Sequence, residues 1–313
     1  MSSKFGLNTT GADVVAAYPE RANGRVFLIT GPSPRSIGEA TAVALAAAHP
    51  AKIILVGRNP DKYRPAVDAI KAVDANIDAP VYGIDLGSIA SVREGALKIA
   101  GENERIDVLI NNAGIMGGPF SKTVDGIESH FATNHLGHFL LTNMLMHRVL
   151  KSDDPRIINL TSAGHFSGTG DYSDYNFEKR PYVWQPAYGQ SKLANIHFSY
   201  HLAKVLGPRG VTSFSVHPGT IYDSNIFGTL STEEYKNLQD LIAKSGGKPK
   251  TLQEGAATTL VAALDPELGK THNGAYLADC QVAETRGEAA KIPDAPEKLW
   301  RLSETLVNET FAY

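Results

Sequence analysis

Tyr188 and Lys192 stand four residues apart in the run WQPAYGQSKLANI, Trp184 to Ile196. In a helix this spacing puts the phenol and the ammonium on one face. A nearby positive charge favours the phenolate, so the pair predicts a phenol pKa brought down from its usual value of about 10. Such a phenol exchanges a proton with a carbonyl or carbinol oxygen near neutral pH. The spacing is common by chance, and what surrounds it decides whether it is a site.

The elements that would carry this pair follow a regular alternation. Continuous apolar runs, the pattern of strands buried on both faces, occur at Arg25–Thr30, Lys52–Val56, Val81–Ile84, Ile106–Asn111, Arg156–Leu160 and Val211–Val216. Helical spacing lies between them at Ser36–His49, Pro60–Val73, Ser88–Ala100, Val124–Leu150 and Ala187–Leu206. Further helices are expected at Thr232–Ala243, Glu254–Leu264 and Glu297–Val307, with a last strand at Gly274–Leu277. Strands separated by helices argue an α/β fold: a Rossmann-type, doubly wound parallel sheet of about seven strands with helices on both faces. Residues 1–24 are small and polar without a clear period and read as a surface arm. Residues 25–313 read as one domain.

Bulk properties exclude other classes. The chain has 313 residues, 42% hydrophobic and 20% charged, with a net charge of −3, so it has no basic footprint for nucleic acid. No apolar stretch long enough for a membrane span is seen, and the N-terminus lacks the pattern of a signal peptide. The single cysteine, Cys280, suits a reducing compartment, and a cytoplasmic location is expected. His130, His135 and His138 cluster, and His197 and His201 are four apart, but a zinc site needs three or four ligands; no metal is expected.

The loop Thr30–Gly38, TGPSPRSIG, joins a strand to a helix, as a nucleotide-binding turn requires. Gly31 would make the tight turn, Ser36 would cap the helix, and Gly38 would allow close helix–strand packing; a plain connecting turn is the alternative. The second strand ends Val56-Gly57-Arg58, without the acid that binds the ribose hydroxyl of NAD. Arg35 and Arg58 supply guanidiniums for a 2′-phosphate instead, so NADP(H) is expected.

Four more stretches complete an ordered set: Asp85-Leu86, Asn111-Asn112-Ala113-Gly114, Asn134 in NHLGHF, and Ser162 in NLTSAGH. With them the chain resembles the short-chain dehydrogenases/reductases across Arg25 to Ala278. The wording of NNAGIM, NHLGHFLLTN and YGQSKLANI is most similar to the branch holding retinol-dehydrogenase-like enzymes and the WW-domain oxidoreductase. The resemblance implies Tyr188 as general acid/base, Lys192 as modifier of its pKa and ligand of the nicotinamide ribose, and Ser162 as donor to the substrate oxygen. Asn134 would hold a water that joins Lys192 to solvent. It further implies Gly31, Ser33, Arg35, Ser36, Ile37, Gly38 and Arg58 at the phosphates and Asp85 and Leu86 at the adenine. Asn111, Asn112, Ala113 and Gly114 would steady the sheet and border the cofactor; Pro218, Gly219 and Thr220 would cover the nicotinamide. Helices 124–150 and 187–206 are where this family commonly forms homodimers.

Two features depart from the family. Six residues separate Gly31 from Gly38 instead of five, Ser36 replaces the middle glycine, and Pro32 and Pro34 remove two N–H donors. The Ser-Ile-Gly end is similar to divergent enoyl reductases, but those space Tyr and Lys by six residues, and Gln185 stands where their tyrosine would be. The second departure is the 26-residue interval from Ser162 to Tyr188, rich in aromatics. Asn176 and Phe177 read as packing; Tyr182 and Trp184 read equally as packing or as pocket wall. Met116, His165, Tyr182 and Trp184 are the expected substrate contacts. Residues 221–248 read as a substrate lid with flexible Gly246-Gly247, and the C-terminal tail as a subunit contact or pocket closure. The expected activity is NADPH-dependent interconversion of a ketone or aldehyde and an alcohol on a bulky lipophilic or aromatic molecule. The rivals are C=C reduction and a non-catalytic NADP-binding regulator.

Overall fold

A computed structural model describes residues 4–244, 248–283 and 287–313. The chain opens with a short helix, Gly11–Ala17 (α1), started by a reciprocal Thr10–Asp13 capping box. The first strand Val26–Thr30 (β1) and helix Ile37–Ala46 (α2) follow. Lys52–Gly57 (β2) leads through a 3₁₀ turn at Pro60–Tyr63 into Arg64–Val73 (α3), and Val81–Gly83 (β3) into Ile89–Glu102 (α4). Val108–Asn111 (β4) is followed by Ser129–Phe131 (α5), a π-turn at Ala132–Leu136, and Gly137–Val149 (α6). Arg156–Leu160 (β5) precedes Trp184–Leu206 (α7), and Thr212–His217 (β6) precedes Thr232–Lys244 (α8), Leu252–Leu264 (α9) and Leu268–Thr271 (α10). Tyr276–Ala278 (β7), Gln281–Val282 (β8) and Ala295–Val307 (α11) close the chain.

Among the described residues eight strands form one sheet in the order β3-β2-β1-β4-β5-β6-β7-β8, parallel except for β8. The central strands are buried throughout, which is why their sequences are apolar without alternation. One face packs against α4, α6 and α7, with α11 laid over α7; the other packs against α2, α3 and α9, with α1 laid over α2 and α9. The direction of winding reverses between β1 and β4, and ligands of such sheets bind at the carboxyl ends of the strands at that point.

Four expectations are corrected. The N-terminal segment is not a surface arm: α1 buries Val14 and Val15, and Gly11 lies so close to α9 that a Cβ would come within 2.9 Å of Leu260. Seven residues are too few to show a helical period. The long helix begins at Ser129 rather than Val124, because Gly126 turns the chain with φ 76° and the Glu128 carboxylate caps the amides of His130 and Phe131. Helix α7 starts at Trp184, since Pro186 in its first turn costs no hydrogen bond. The eighth strand, two residues after a turn at Asp279-Cys280, is too short for a sequence pattern. The expected flexible pair Gly246-Gly247 lies outside the described residues.

Among the described residues the C-terminal tail does not line the cavity; it packs on the chain's own helices. Trp300 stacks on His201 at 4.5 Å and meets Phe139 at 4.9 Å, Phe311 meets Phe139, and the Tyr313 hydroxyl donates to Asn143. The chain's own tail therefore packs on α6 and α7, the two helices where the resemblance places dimer contacts.

Candidate active site

A cavity of about 990 Å³ runs along the carboxyl ends of the strands. That is the upper end of the usual range for small-molecule sites, about 300–1,000 Å³. Its floor is the loop after β1. Gly31 adopts φ 69°, the left-handed turn glycine permits. Ser36 caps α2 by accepting from the Glu39 amide and donates to the Gly31 carbonyl at 3.2 Å. Gly38 is needed for contact: a Cβ there would lie 2.5 Å from Asn112 Nδ2 and 2.8 Å from the Gly31 carbonyl oxygen. Ser33, Ser36 and Ile37 line the cavity at the N-terminus of α2, where amides and helix dipole suit a phosphate. At one end stand Arg58, Asn59, Lys62 and Tyr63; Ile84, Asp85 and Leu86 adjoin them, and Asn112, Ala113, Gly114 and Met116 form the middle wall.

The far end is the reacting end. Ser162 follows β5, Tyr188 and Lys192 come from successive turns of α7, and Pro218, Gly219 and Thr220 roof them. The Ser162 hydroxyl lies beside the Tyr188 phenol and opposes the rise in its pKa, while Ser162 Oγ accepts from the Gly164 amide at 3.1 Å. Lys192 donates to the Leu160 carbonyl at 3.3 Å, its Nζ 5.7 Å from the Tyr188 ring centre. Asn134 sits in the π-turn, where its amide makes three bonds: Nδ2 donates to the Ile115 carbonyl (3.0 Å) and Ser191 Oγ (2.9 Å), and Oδ1 accepts from the Ile115 amide (2.8 Å). Lys192 and Asn134 converge on Gly114, where a Cβ would lie 3.1 Å from Lys192 Nζ and 3.2 Å from Asn134 Oδ1. Asn111 braces the sheet beneath by donating to Thr142 and Asn159.

The family model for short chain dehydrogenases matches residues 25–234. The chain belongs to that family. Mouse (Mus musculus) retinol dehydrogenase 11 is 40% identical over 261 residues, 83% of this chain and 79% of that one, so the retinol-dehydrogenase-like branch holds the chain. Among solved structures, an uncharacterized protein from Mycobacterium paratuberculosis is similar with a TM-score of 0.74 and 30% identity, covering 98% of this chain and all (100%) of that one. The NADP complex of Pseudomonas aeruginosa RhlG is similar with a TM-score of 0.64 and 25% identity, over 83% of this chain and 96% of that one.

This dehydrogenase's electrostatics differ from the expectation for the Tyr–Lys pair. Burial pushes the Tyr188 phenol up to about 12, only partly opposed by the Ser162 hydroxyl. Burial likewise brings the Lys192 ammonium down to about 8. Both groups lose more from leaving water than they gain from each other, because the ammonium turns to Leu160 rather than to the phenol oxygen.

Three expected contacts lie elsewhere. Arg35 is exposed in the left-handed region at φ 59°, its guanidinium on the Asp223 carbonyl at 3.4 Å, and it does not line the cavity. His165 is buried behind the site, stacked on Phe166 and against Tyr276, with Nδ1 donating to the Ser162 carbonyl at 2.6 Å. Tyr182 packs between Phe120 and Phe177, its hydroxyl 3.3 Å from His130 Nδ1. Met116 and Trp184 do line the cavity. Sequence reading missed Lys62, which the turn opened by Asn59-Pro60 folds back to the end of β2; the Asn-Pro pair was the available signal. It also missed Leu238, Leu241 and Ile242, the apolar stripe of α8 at the cavity mouth.

Proposed function

We propose that this enzyme uses NADP(H) to interconvert a ketone or aldehyde and the corresponding alcohol on a bulky lipophilic small molecule. One observation carries the reading: a single cavity holds Arg58 and Lys62 with no acid at the end of β2, and Ser162, Tyr188 and Lys192 at its other end. The donor set fits the cofactor. Ser33, Ser36 and Ile37 at a helix N-terminus would hold the pyrophosphate, Arg58 and Lys62 a 2′-phosphate, and Lys192 with the roof at Pro218–Thr220 the nicotinamide side. NADP(H) would supply or accept the hydride.

The chain's own residues would handle the oxygen and its proton. With its phenol pKa near about 12, Tyr188 holds its proton at neutral pH and donates it to a carbonyl oxygen as charge develops there. Ser162, beside that phenol in the cavity wall, would orient the same oxygen. Lys192 and Asn134, converging on Gly114, would lead a replacement proton inward. Met116, Trp184, Phe227, Leu238, Leu241 and Ile242 give the substrate end its apolar lining. We read residues 221–244 as the lid: Trp184 Nε1 donates to Glu234 at 3.0 Å and Asn225 to the Pro34 carbonyl, so one segment touches both pocket wall and phosphate loop.

The test is a titration of NADPH and NADH by nicotinamide fluorescence, followed by a screen of lipophilic and aromatic aldehydes and ketones. Micromolar NADPH binding, weaker NADH binding and turnover lost in Tyr188→Phe are expected. No binding of either cofactor, or full turnover in Tyr188→Phe, would overturn the reading.

A further inference from the structure

Of the histidines clustered in the NHLGHF segment, His138 connects two parts of the site that no other side chain joins directly among the described contacts. It is 1% exposed, between Asn134 and Thr30, both fully buried at 0%. Its Nδ1 lies 3.1 Å from the Asn134 carbonyl oxygen and its Nε2 2.8 Å from Thr30 Oγ1. The same Thr30 oxygen accepts the amides of Asn112 and Ala113, each at 2.9 Å.

Donor and acceptor counting leaves one arrangement. A carbonyl only accepts, so Nδ1 carries the hydrogen. The Thr30 oxygen has two lone pairs, both used by amides, so its hydroxyl donates to a bare Nε2. The ring is therefore the neutral Nδ1–H tautomer; a second ring proton would face an oxygen with no lone pair left. Burial agrees, bringing the His138 pKa down to about 4, with the Asn134 carbonyl opposing and the Lys192 charge adding to the fall.

Resting on the reading that the cavity binds NADP(H), we propose that His138 is a positioning residue that braces Asn134 against the cofactor-binding ends of β1 and β4. On one side it fixes the backbone of the π-turn, and through it the Asn134 amide that holds Ile115 and Ser191; Ser191 in turn donates to the Tyr188 carbonyl at 2.7 Å. On the other it fixes the Thr30 hydroxyl that sets Asn112 and Ala113, and Asn112 Nδ2 donates to the carbonyls of Thr30 (2.7 Å) and Gly31 (3.2 Å). One ring thus couples the proton-carrying side of the site to the phosphate loop.

The two bonds can be removed separately. His138→Asn places an amide N–H near the position of Nδ1 and cannot reach Thr30. His138→Gln places an amide oxygen near the position of Nε2 and gives up the Asn134 carbonyl. Losing one buried hydrogen bond corresponds to about tenfold. His138→Asn is expected to weaken NADPH binding about tenfold with kcat within about twofold. His138→Gln is expected to lower kcat on 4-nitrobenzaldehyde about tenfold with NADPH binding kept. Equal losses of both quantities in both variants, or no loss in either, would overturn the proposal. Because variants in a packed helix risk misfolding, a second measurement uses the unaltered full chain: long-range ¹H–¹⁵N spectra of its histidines from about pH 5.5 to 8. A neutral Nδ1–H tautomer for His138 across that range is expected, and an Nε2–H tautomer or an imidazolium would overturn the brace. If the unaltered protein binds no nicotinamide cofactor, the functional reading fails, while the tautomer still decides the brace.

Discussion

Lys192→Met is expected to stabilise the protein while abolishing turnover. The ammonium is buried, 3% exposed, with the Leu160 carbonyl 3.3 Å away. Its pKa falls from the ordinary 10.5 to about 8 because burial disfavours the charged form. At about 1.4 kcal/mol per pH step, keeping that charge in the folded state at pH 7 costs about 3 kcal/mol against a side chain that never ionises. Loss of the Leu160 hydrogen bond returns about 1 kcal/mol. Methionine, of similar length and apolar, should therefore gain about 2 kcal/mol at pH 7, or about 3 °C in Tm at this chain length. The sign with pH is definite. Below about pH 8 the lysine is charged in both states and the penalty is complete. Between about 8 and 10.5 the folded form loses its proton first, so the penalty fades, and above 10.5 it is absent. Urea unfolding of both proteins at pH 7, 8.5 and 10 measures this. The gap should be largest at pH 7 and close toward pH 10. A variant less stable at pH 7, or a gap independent of pH, would refute the claim that this site buries an uncompensated charge.

Arg58→Ala should weaken NADPH about tenfold to a hundredfold, the loss of one charge-assisted contact, and leave NADH unchanged, as fluorescence titration will report. Gly38→Ala should cost about 1–3 kcal/mol and nicotinamide binding, because the new methyl meets Asn112 and the Gly31 backbone; Gly101→Ala, with nothing within 4 Å, is the control in denaturant unfolding. Trp300→Ala should cost about 3–5 kcal/mol, since the ring is 7% exposed among Phe139, Phe198 and His201. It should also uncover the face of α6 and α7, read as self-association in size-exclusion chromatography; a loss under about 1 kcal/mol would mean that α11 is only loosely docked.

The alternation of strands and helices and the residues of the reacting end were legible in the sequence because they depend on local properties. A strand buried on both faces must be apolar throughout, a turn with φ 69° selects Gly31, and an i,i+4 pair on a helix shares a face whatever surrounds it. What tertiary structure alone decided is how each charged or aromatic group is solvated and where its side chain turns. Arg35 and Arg58 are equal as letters, yet the left-handed backbone at Arg35 sends one to Asp223 while the other lines the cavity. Lys62 joins Arg58 only through a 3₁₀ turn, and His138 differs from a surface histidine only in being walled in by Thr30 and Asn134. The proximity of Tyr188 and Lys192 was in the sequence, but their pKa values were not. Those depend on how much water the fold removes, and burial outweighs the attraction between the two groups.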